Sequence, residues 1–136
     1  MDLDNSTIIQ IDEALPVVKL CKRVRDPTAF GVVGGVDKDG RFRIGNMAFR
    51  KDMDVGRIIV QSQGEGAIWV TNAGGPIRNG DYVTTSHIPG YATRQGSQLH
   101  YNYTVAKVTC DCVFTKSFTY RGKKYKKAFV GCVYCF

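Results

Sequence analysis

Four of the five cysteines fall in two short motifs, and their spacing comes closer than any other in the sequence to a chemical site. The motifs are Cys110-Asp111-Cys112 and Cys132-Val133-Tyr134-Cys135. Four thiolates on neighbouring strands would bind zinc tetrahedrally. A C-x-C pair on a strand also places two small apolar side chains on one face, and the region around Cys132 is strongly apolar. A zinc site at Cys110, Cys112, Cys132 and Cys135, a disulfide, and buried free thiols all stay open, and buried thiols are the interpretation we favour.

Nucleophilic catalysis has little support in the sequence. Ser86 and His87 are adjacent, but neighbours on a strand point to opposite faces, so the two side chains would not meet. No Gly-x-Ser-x-Gly elbow is present. The segment Asp37-Lys38-Asp39-Gly40 begins like a calcium loop but lacks the glutamate that closes one. We therefore predict no catalytic residues and no cofactor other than the zinc that the cysteines leave open.

Aromatic and cationic residues alternate in the stretch Tyr120-Arg121-Gly122-Lys123-Lys124-Tyr125-Lys126-Lys127, which we predict to be a β-hairpin with its loop at Arg121–Lys124. Such a loop would follow a phosphate backbone and stack bases, and the net charge of +7 agrees with a polyanionic partner. The candidate polyanion contacts are Arg121, Lys123, Lys124, Lys126 and Lys127. Lysines at a hairpin tip also increase solubility and protect sheet edges, and the sequence favours this interpretation over a nucleic-acid-binding module.

The elements that must position these residues are short strands separated by turn signals about every eight to twelve residues. Asn79-Gly80 is a strong turn signal, and Pro89-Gly90 is another. The pattern predicts an all-β fold, a compact sandwich or distorted barrel of about nine to ten short strands. The predicted strands are Val17–Cys21, Phe30–Val36, Arg41–Ile44, Arg57–Gln61, Ala67–Thr71, Tyr82–Ser86, Tyr103–Phe114, Lys116–Tyr120 and Tyr125–Tyr134. Met47–Asp54 is predicted to be a loop.

The stretch from Gly64 to Phe114 also carries a resemblance to a known family. Its characteristic strings are GEGAIWV at 64–70, NGDYVTTS at 79–86, IPGY at 88–91 and NYTVAK at 102–107, with further matches at 11–16, 30–33 and 127–132. The sequence resembles the C-terminal intramolecular-chaperone (autoproteolytic) domain of phage tail and neck appendages, and most closely its relatives in large double-stranded DNA viruses. The resemblance extends over almost the whole chain.

This resemblance implies a viral structural or assembly domain that acts by protein–protein contact, as a chaperone or trimerisation module of a fibre or a capsid-associated protein. Members of the family cut themselves free at a serine–aspartate junction just before the domain. The chain begins Met1-Asp2-Leu3-Asp4-Asn5, without that junction. A self-cleaving peptidase is therefore the alternative, and we expect a non-enzymatic protein. Edge-rich β-domains close their exposed strands against copies of themselves, so Trp69, Tyr82, Tyr91 and Tyr103 are candidate self-contacts, although each suits a core position too.

Length and composition set the remaining expectations. The 136 residues fit a single β domain, 1–136, with a loose N-terminus at 1–7, and the apolar content of 43% is enough for a packed core. No stretch approaches the length of a membrane span, and no signal-peptide pattern is present. We expect a soluble protein, made in the host cytoplasm and located in the virion. Its expected partners are its own copies in a homotrimer or other virion proteins, rather than nucleic acid or membrane.

Overall fold

The computed structural model describes residues 17–36, 47–50 and 57–136, and in these residues regular structure is almost entirely β. The described part contains ten strands and one 3-10 turn, at Asn72–Gly74, which confirms the all-β prediction. The strands are β1 (Val17–Val18), β2 (Val32–Val36), β3 (Met47–Arg50), β4 (Arg57–Gln61), β5 (Gln63–Thr71), β6 (Tyr82–Thr85), β7 (Ala92–Arg94), β8 (Thr104–Val108), β9 (Lys116–Tyr120) and β10 (Lys123–Cys135). The predicted loose segment 1–7, turn 37–40 and strand 41–44 lie outside the described residues.

The chain divides into two compact units, and the first consists of Met1–Lys19 with Val33–Val60. Its sheet has the strand order β1-β3-β4-β2. Strand β3 pairs in parallel with β1 and antiparallel with β4, so it is hydrogen-bonded on both edges. The prediction of a loop at Met47–Asp54 is therefore wrong over Met47–Arg50. Partner strands on both sides stabilise an extended conformation that the irregular polar pattern did not indicate.

The second unit consists of Leu20–Val32 with Gln61–Phe136, and its sheet closes on itself. The strand order is β5-β7-β6-β8-β10-β9, and β10 also pairs with β5. Five strands, β5, β7, β6, β8 and β10, therefore form a ring, while β9 extends from β10. Only β5 and β7 are parallel, and they meet at Val70 and Ala92. A closed ring satisfies the strand edges that an open sheet would leave unpaired.

Strand β10 is the element on which this ring depends. One of its edges pairs with β5 over Lys127–Cys135. The other edge pairs first with β9, over Lys123–Lys127, and then with β8, over Cys132–Tyr134. The side chains alternate, so Val130, Cys132 and Tyr134 are buried whereas Phe129 and Val133 are exposed. The core inside the ring is formed by Ile68, Val70, Ile77, Val83, Ala92, Val105, Ala106, Val108, Val130, Cys132 and Tyr134.

Two predicted boundaries differ from the structure in ways that affect the candidate sites. Strand β8 ends at Val108, so Cys110 and Cys112 lie in a loop and not on the predicted strand Tyr103–Phe114. The loop between β9 and β10 comprises only Arg121 and Gly122, both with positive φ (48° and 79°), as a tight two-residue hairpin requires. Lys123 and Lys124, predicted to be in that loop, therefore lie on β10.

The segment Leu20–Val32 belongs to the same unit as the ring and is held to it by specific hydrogen bonds. The Asp26 amide donates to the Thr85 hydroxyl at 2.8 Å, and that hydroxyl donates to the Arg23 carbonyl at 2.8 Å. The Arg25 guanidinium donates to the Gln95 carbonyl at 2.9 Å. Asp26 itself is buried, and its carboxylate accepts from the Thr28 amide and hydroxyl and from Arg23.

Candidate functional site

Seven rings form a continuous path over the outer surface of the second unit, which we call the aromatic row. Its members, in order of contact, are Phe129, Trp69, Tyr91, Phe118, Tyr125, His87 and Tyr120. Successive ring centroids lie 4.9 to 6.2 Å apart, and Tyr91 and Phe118 are stacked. Strands β5, β9 and β10 supply five of these rings, and the turn between β6 and β7 supplies His87 and Tyr91.

The turn between β6 and β7 is ordered by one buried hydroxyl. Ser86 Oγ lies 2.6 Å from the Tyr91 carbonyl oxygen and accepts a hydrogen bond from the Ile88 amide. Ser86 is buried and His87 is exposed, although both lie beyond the end of β6 at Thr85. His87 Nε2 lies 3.1 Å from the Tyr125 hydroxyl, so the turn is joined to the hairpin of β9 and β10. The serine therefore organises a turn, and the histidine belongs to the aromatic row.

One end of the aromatic row is an exposed cross-strand pair, Trp69 on β5 and Phe129 on β10. The two residues are direct partners in the β5–β10 ladder, their ring centroids lie 5.1 Å apart, and Phe129 is 60% exposed. The next outward pair along the ladder is Ala67 with Gly131, followed by Glu65 with Val133. We call these three pairs the outer β5–β10 face. It combines two large exposed rings with two very small residues, and it carries one carboxylate.

The hairpin of β9 and β10 presents two different faces because side chains alternate along each strand. Phe118 pairs with Tyr125 and Tyr120 pairs with Lys123, so one face of the hairpin contributes to the aromatic row. Ser117 pairs with Lys126 and Thr119 pairs with Lys124, so the opposite face carries two lysines and two hydroxyls. All four of these last residues are exposed.

The candidate polyanion contacts are accordingly distributed over both hairpin faces. Lys127 is half-buried, and its Nζ lies 5.2 Å from the Trp69 ring centroid and 5.7 Å from that of Phe118. Lys123 lies over Tyr125 and Arg121 over Tyr120, each at 5.5 Å. Lys124 and Lys126 project from the other face. A cation over an aromatic face is stabilised by the quadrupole of the ring, by about 0.5–1 kcal/mol at exposed sites.

The four predicted self-contact residues do not form one patch. Trp69 and Tyr91 are neighbours in the aromatic row, with centroids 6.2 Å apart. Tyr82 packs edge-on against His100, and Tyr103 stacks on Tyr101 with Arg25 over its face. Tyr82 also lines a polar surface cavity of about 370 Å³ together with Asp81, Arg94 and Lys107. Sequence reasoning did not single out Phe129 and Phe118, although the strict alternation along β10 marks Phe129 as outward-facing once Val130 and Cys132 are placed in the core.

The four motif cysteines occupy different environments. Cys110 is exposed, Cys112 and Cys135 are half-buried, and Cys132 is inside the ring. Burial raises the pKa of Cys112 to about 11, and the neighbouring thiol of Cys110 adds a smaller contribution. Burial likewise raises the pKa of Cys132 to about 11, with a smaller contribution from Cys135. Among the described residues, no three side chains of histidine, cysteine, aspartate or glutamate converge as a metal site requires. This arrangement adds no support to the zinc site, which stays a prediction.

Comparison with known proteins gives no family assignment, because the chain matches no protein-family model, no curated protein and no solved structure. The family resemblance noted in the sequence therefore stays a prediction. In the described part of the chain, no helix has the length and apolar character needed to cross a membrane.

Proposed function

We propose that this protein is a viral structural or assembly domain that acts by protein–protein contact, and that it associates with copies of itself as a trimer through the outer β5–β10 face. The observation that carries the proposal is the exposed pair of Trp69 and Phe129 on paired strands. The resemblance of the sequence to the chaperone domains of viral appendages supports the same function and the trimeric state.

The composition of the outer β5–β10 face suits a protein contact. Aromatic residues are enriched where interfaces are buried, and a few of them supply most of the binding energy. Phe129 is 60% exposed, which is a large apolar area to leave in water without a partner. Ala67, directly beside the aromatic pair, adds only a methyl group to the face, and the Thr109 hydroxyl lies beside Gly131, 3.1 Å from where a Cβ would stand.

A partner identical to this chain fits the charge distribution near the face. Lys127 lies beside Trp69 at one end, and Glu65 lies opposite Val133 at the other. A neighbouring copy would bring its own glutamate and lysine, so a head-to-tail contact repeated around a threefold axis would pair opposite charges at its margin. Heterologous contacts close into a ring such as a trimer when the repeated rotation closes, and they form an open filament when it does not.

The proposal is tested by measuring absolute mass in solution by light scattering on a sizing column. We expect three times the mass of the chain for the wild type, and the mass of one chain for Phe129→Glu, because the added carboxylate would have to be desolvated in the contact. Val113→Glu, at a position 70% exposed but off this face, is the matched control and should remain trimeric. A wild-type protein that stays monomeric at high micromolar concentration would refute the proposal.

The self-cleaving alternative draws no specific support from the described residues. Ser86, the serine that adjoins a histidine in the sequence, is buried and hydrogen-bonded within its own turn. Self-cleavage therefore stays a prediction from the resemblance alone, and an upstream segment ending in a serine–aspartate junction would be needed for it.

A further inference from the structure

We propose that the β9–β10 hairpin binds single-stranded nucleic acid, with bases against the tyrosines and phosphates on the cations of that same face, and with the adjoining phosphates on the lysines of the opposite face. This activity differs from self-association in the residues it uses: the outer β5–β10 face consists of the pairs from Trp69 with Phe129 to Glu65 with Val133, whereas the hairpin pairs end at Lys116 with Lys127. Between positions 116 and 127 the chain has six basic residues and no acidic one, namely Lys116, Arg121, Lys123, Lys124, Lys126 and Lys127.

The positive charge of the hairpin is not neutralised within the described part of the protein. Among the described residues, the ion pair is the one between Arg23 and Asp26. No ion pair in this part of the chain involves a residue of the hairpin. The carboxylates of Asp81 and Asp111 accept hydrogen bonds from the Arg78 and Asn79 amides, at a turn that is not part of the hairpin. Glu65 lies opposite Val133, towards the other end of β10. A basic cluster that has no carboxylate partner among the described residues attracts a polyanion.

The geometry of the exposed hairpin face matches a phosphate backbone. Lys124 and Lys126 are two positions apart on one strand, so their Cα atoms are separated by about 6.6–6.8 Å along it. Two nucleotides of a stacked strand advance by a similar distance, about 6.8 Å. The hydroxyls of Thr119 and Ser117 stand directly across from these two lysines, where they add hydrogen-bond donors for phosphate oxygens.

The opposite hairpin face explains why nucleic acid fits better than an acidic protein. Tyr120 and Tyr125 are half-buried, and each has a cation, Arg121 or Lys123, over its ring. His87 is exposed and lies within 6.0 Å of both tyrosine rings, centroid to centroid. Flat rings interleaved with cations form the stacking platform typical of proteins that bind single strands without sequence preference. An acidic peptide would use the lysines but would gain nothing from stacking.

Binding is tested by fluorescence anisotropy with a labelled 20-nucleotide oligothymidine at 50 mM and 200 mM salt. We expect the double variant Lys124→Ser/Lys126→Ser to bind about tenfold more weakly at the lower salt, and the slope of log affinity against log salt to fall by about 1.4, from two lost phosphate contacts on a single strand. The matched control, Lys22→Ser/Lys107→Ser, removes the same charge from exposed positions outside the hairpin and should bind like the wild type. Equal weakening by both variants would mean that net charge alone is responsible, and would overturn the proposal.

A second comparison separates base stacking from phosphate attraction without altering the protein. An abasic oligonucleotide of the same length carries the same phosphates, and we expect it to bind at least tenfold more weakly, which corresponds to the loss of one stacked base. Equal affinity for the two, or equally effective competition by polyglutamate, would identify a general polyanion surface and overturn the assignment to nucleic acid. Phe129→Glu, the variant that tests self-association, should be monomeric and should still bind oligothymidine. Failure of the self-association proposal is therefore distinguishable from failure of the nucleic-acid proposal.

Discussion

The hydroxyl of Tyr134 on β10 is hydrogen-bonded to both backbone groups of Ala67 on β5: it accepts from the amide at 3.1 Å and donates to the carbonyl at 2.6 Å. Strand β7 pairs with β5 only at Val70, so it does not reach Ala67. The tyrosine side chain therefore takes the place of a strand at this part of the ring. Its ring lies against Gly66, where an added Cβ would come within 2.3 Å of it, so only glycine fits there.

Removing this hydroxyl should weaken the closure of the ring. In Tyr134→Phe the amide and carbonyl of Ala67 lose their hydrogen-bond partner, and water does not replace it because Tyr134 is only 4% exposed. We therefore expect the unfolding free energy to fall by about 1–3 kcal/mol. Denaturant unfolding followed by tryptophan fluorescence measures it. Tyr101→Phe is the control, because Tyr101 is 39% exposed, and it should change stability by less than about 0.5 kcal/mol. Equal effects of the two substitutions would contradict this role of Tyr134.

Two buried threonines should respond oppositely to the same substitution. Thr71 Oγ1 is buried and has no hydrogen-bond partner among the described residues, whereas Thr84 Oγ1 donates to the Tyr103 carbonyl at 2.6 Å. Thr71→Val removes an unsatisfied hydroxyl, so we expect it to be neutral or stabilising by up to about 1 kcal/mol. Thr84→Val leaves a carbonyl unpaired and should destabilise by about 1–2 kcal/mol. Thermal unfolding of the two variants side by side gives the comparison, and a destabilised Thr71→Val would show that its hydroxyl has a partner.

Asp26 should make stability depend on pH in the acid range. Burial alone would raise the pKa of its carboxyl, but hydrogen bonds from the Thr28 hydroxyl and amide and the charge of Arg23 lower that pKa from 3.8 to about 2. A lowered folded-state pKa stabilises the fold above the unfolded value, and this contribution is lost as pH falls from about 4 towards 2. We expect Asp26→Asn to be less stable than wild type by about 1–2 kcal/mol at pH 7, with the difference disappearing near pH 2.

The control for Asp26 is Lys22→Gln, which removes an exposed charge from the same segment of the chain. Its unfolding free energy should stay within about 0.5 kcal/mol of the wild-type value at every pH measured, because exposed substitutions away from specific contacts have small effects. Denaturant unfolding at pH 7, 4 and 2.5 gives the three values for each protein. If the difference in unfolding free energy between Asp26→Asn and wild type is the same at all three pH values, the charge of Asp26 does not contribute to stability.

The cysteines should differ sharply in reactivity. Cys110 is exposed, whereas Cys132 is inside the ring and burial raises the pKa of its thiol to about 11. A rise from 9 to about 11 lowers the thiolate fraction about 100-fold, and the thiolate is the reactive form. We expect alkylation at pH 7.5, followed by peptide mass spectrometry, to label Cys110 first and Cys132 only when the protein unfolds. Protection of Cys110 that a chelator removes would instead favour the zinc site.

The sequence was most informative where the alternation of apolar and polar residues coincides with a partner strand. It predicted Arg57–Gln61 and Lys116–Tyr120 with the bounds that the structure has. It missed β7, because Ala92–Arg94 is only three residues long and its extended conformation is stabilised by β6 on one side and Val70 of β5 on the other. Short strands of this kind depend on tertiary pairing, which no local pattern reports.

The candidate surfaces were predictable only in part, for a similar reason. The cations from Arg121 to Lys127 are evident in the sequence, but their separation into two faces follows from a turn of two residues instead of four. Arg121 occupies a left-handed conformation that is uncommon for residues other than glycine and asparagine, so the shorter turn was not the natural expectation. The pairing of Trp69 with Phe129 joins residues 60 positions apart, and only the register of β5 against β10 brings them together.

The position of β10 in the chain also bears on how the protein is made. Each strand that β10 joins, β5, β8 and β9, precedes it, so a growing chain leaves the ribosome with its ring open until Lys123–Cys135 has been synthesised. Until then the edges of β5 and β8 are available to other nascent chains, and such long-range pairing is slow to form. A chain that stops before Lys123 is accordingly expected to lack a cooperative unfolding transition, and a delay or premature stop near this point would favour aggregation over assembly.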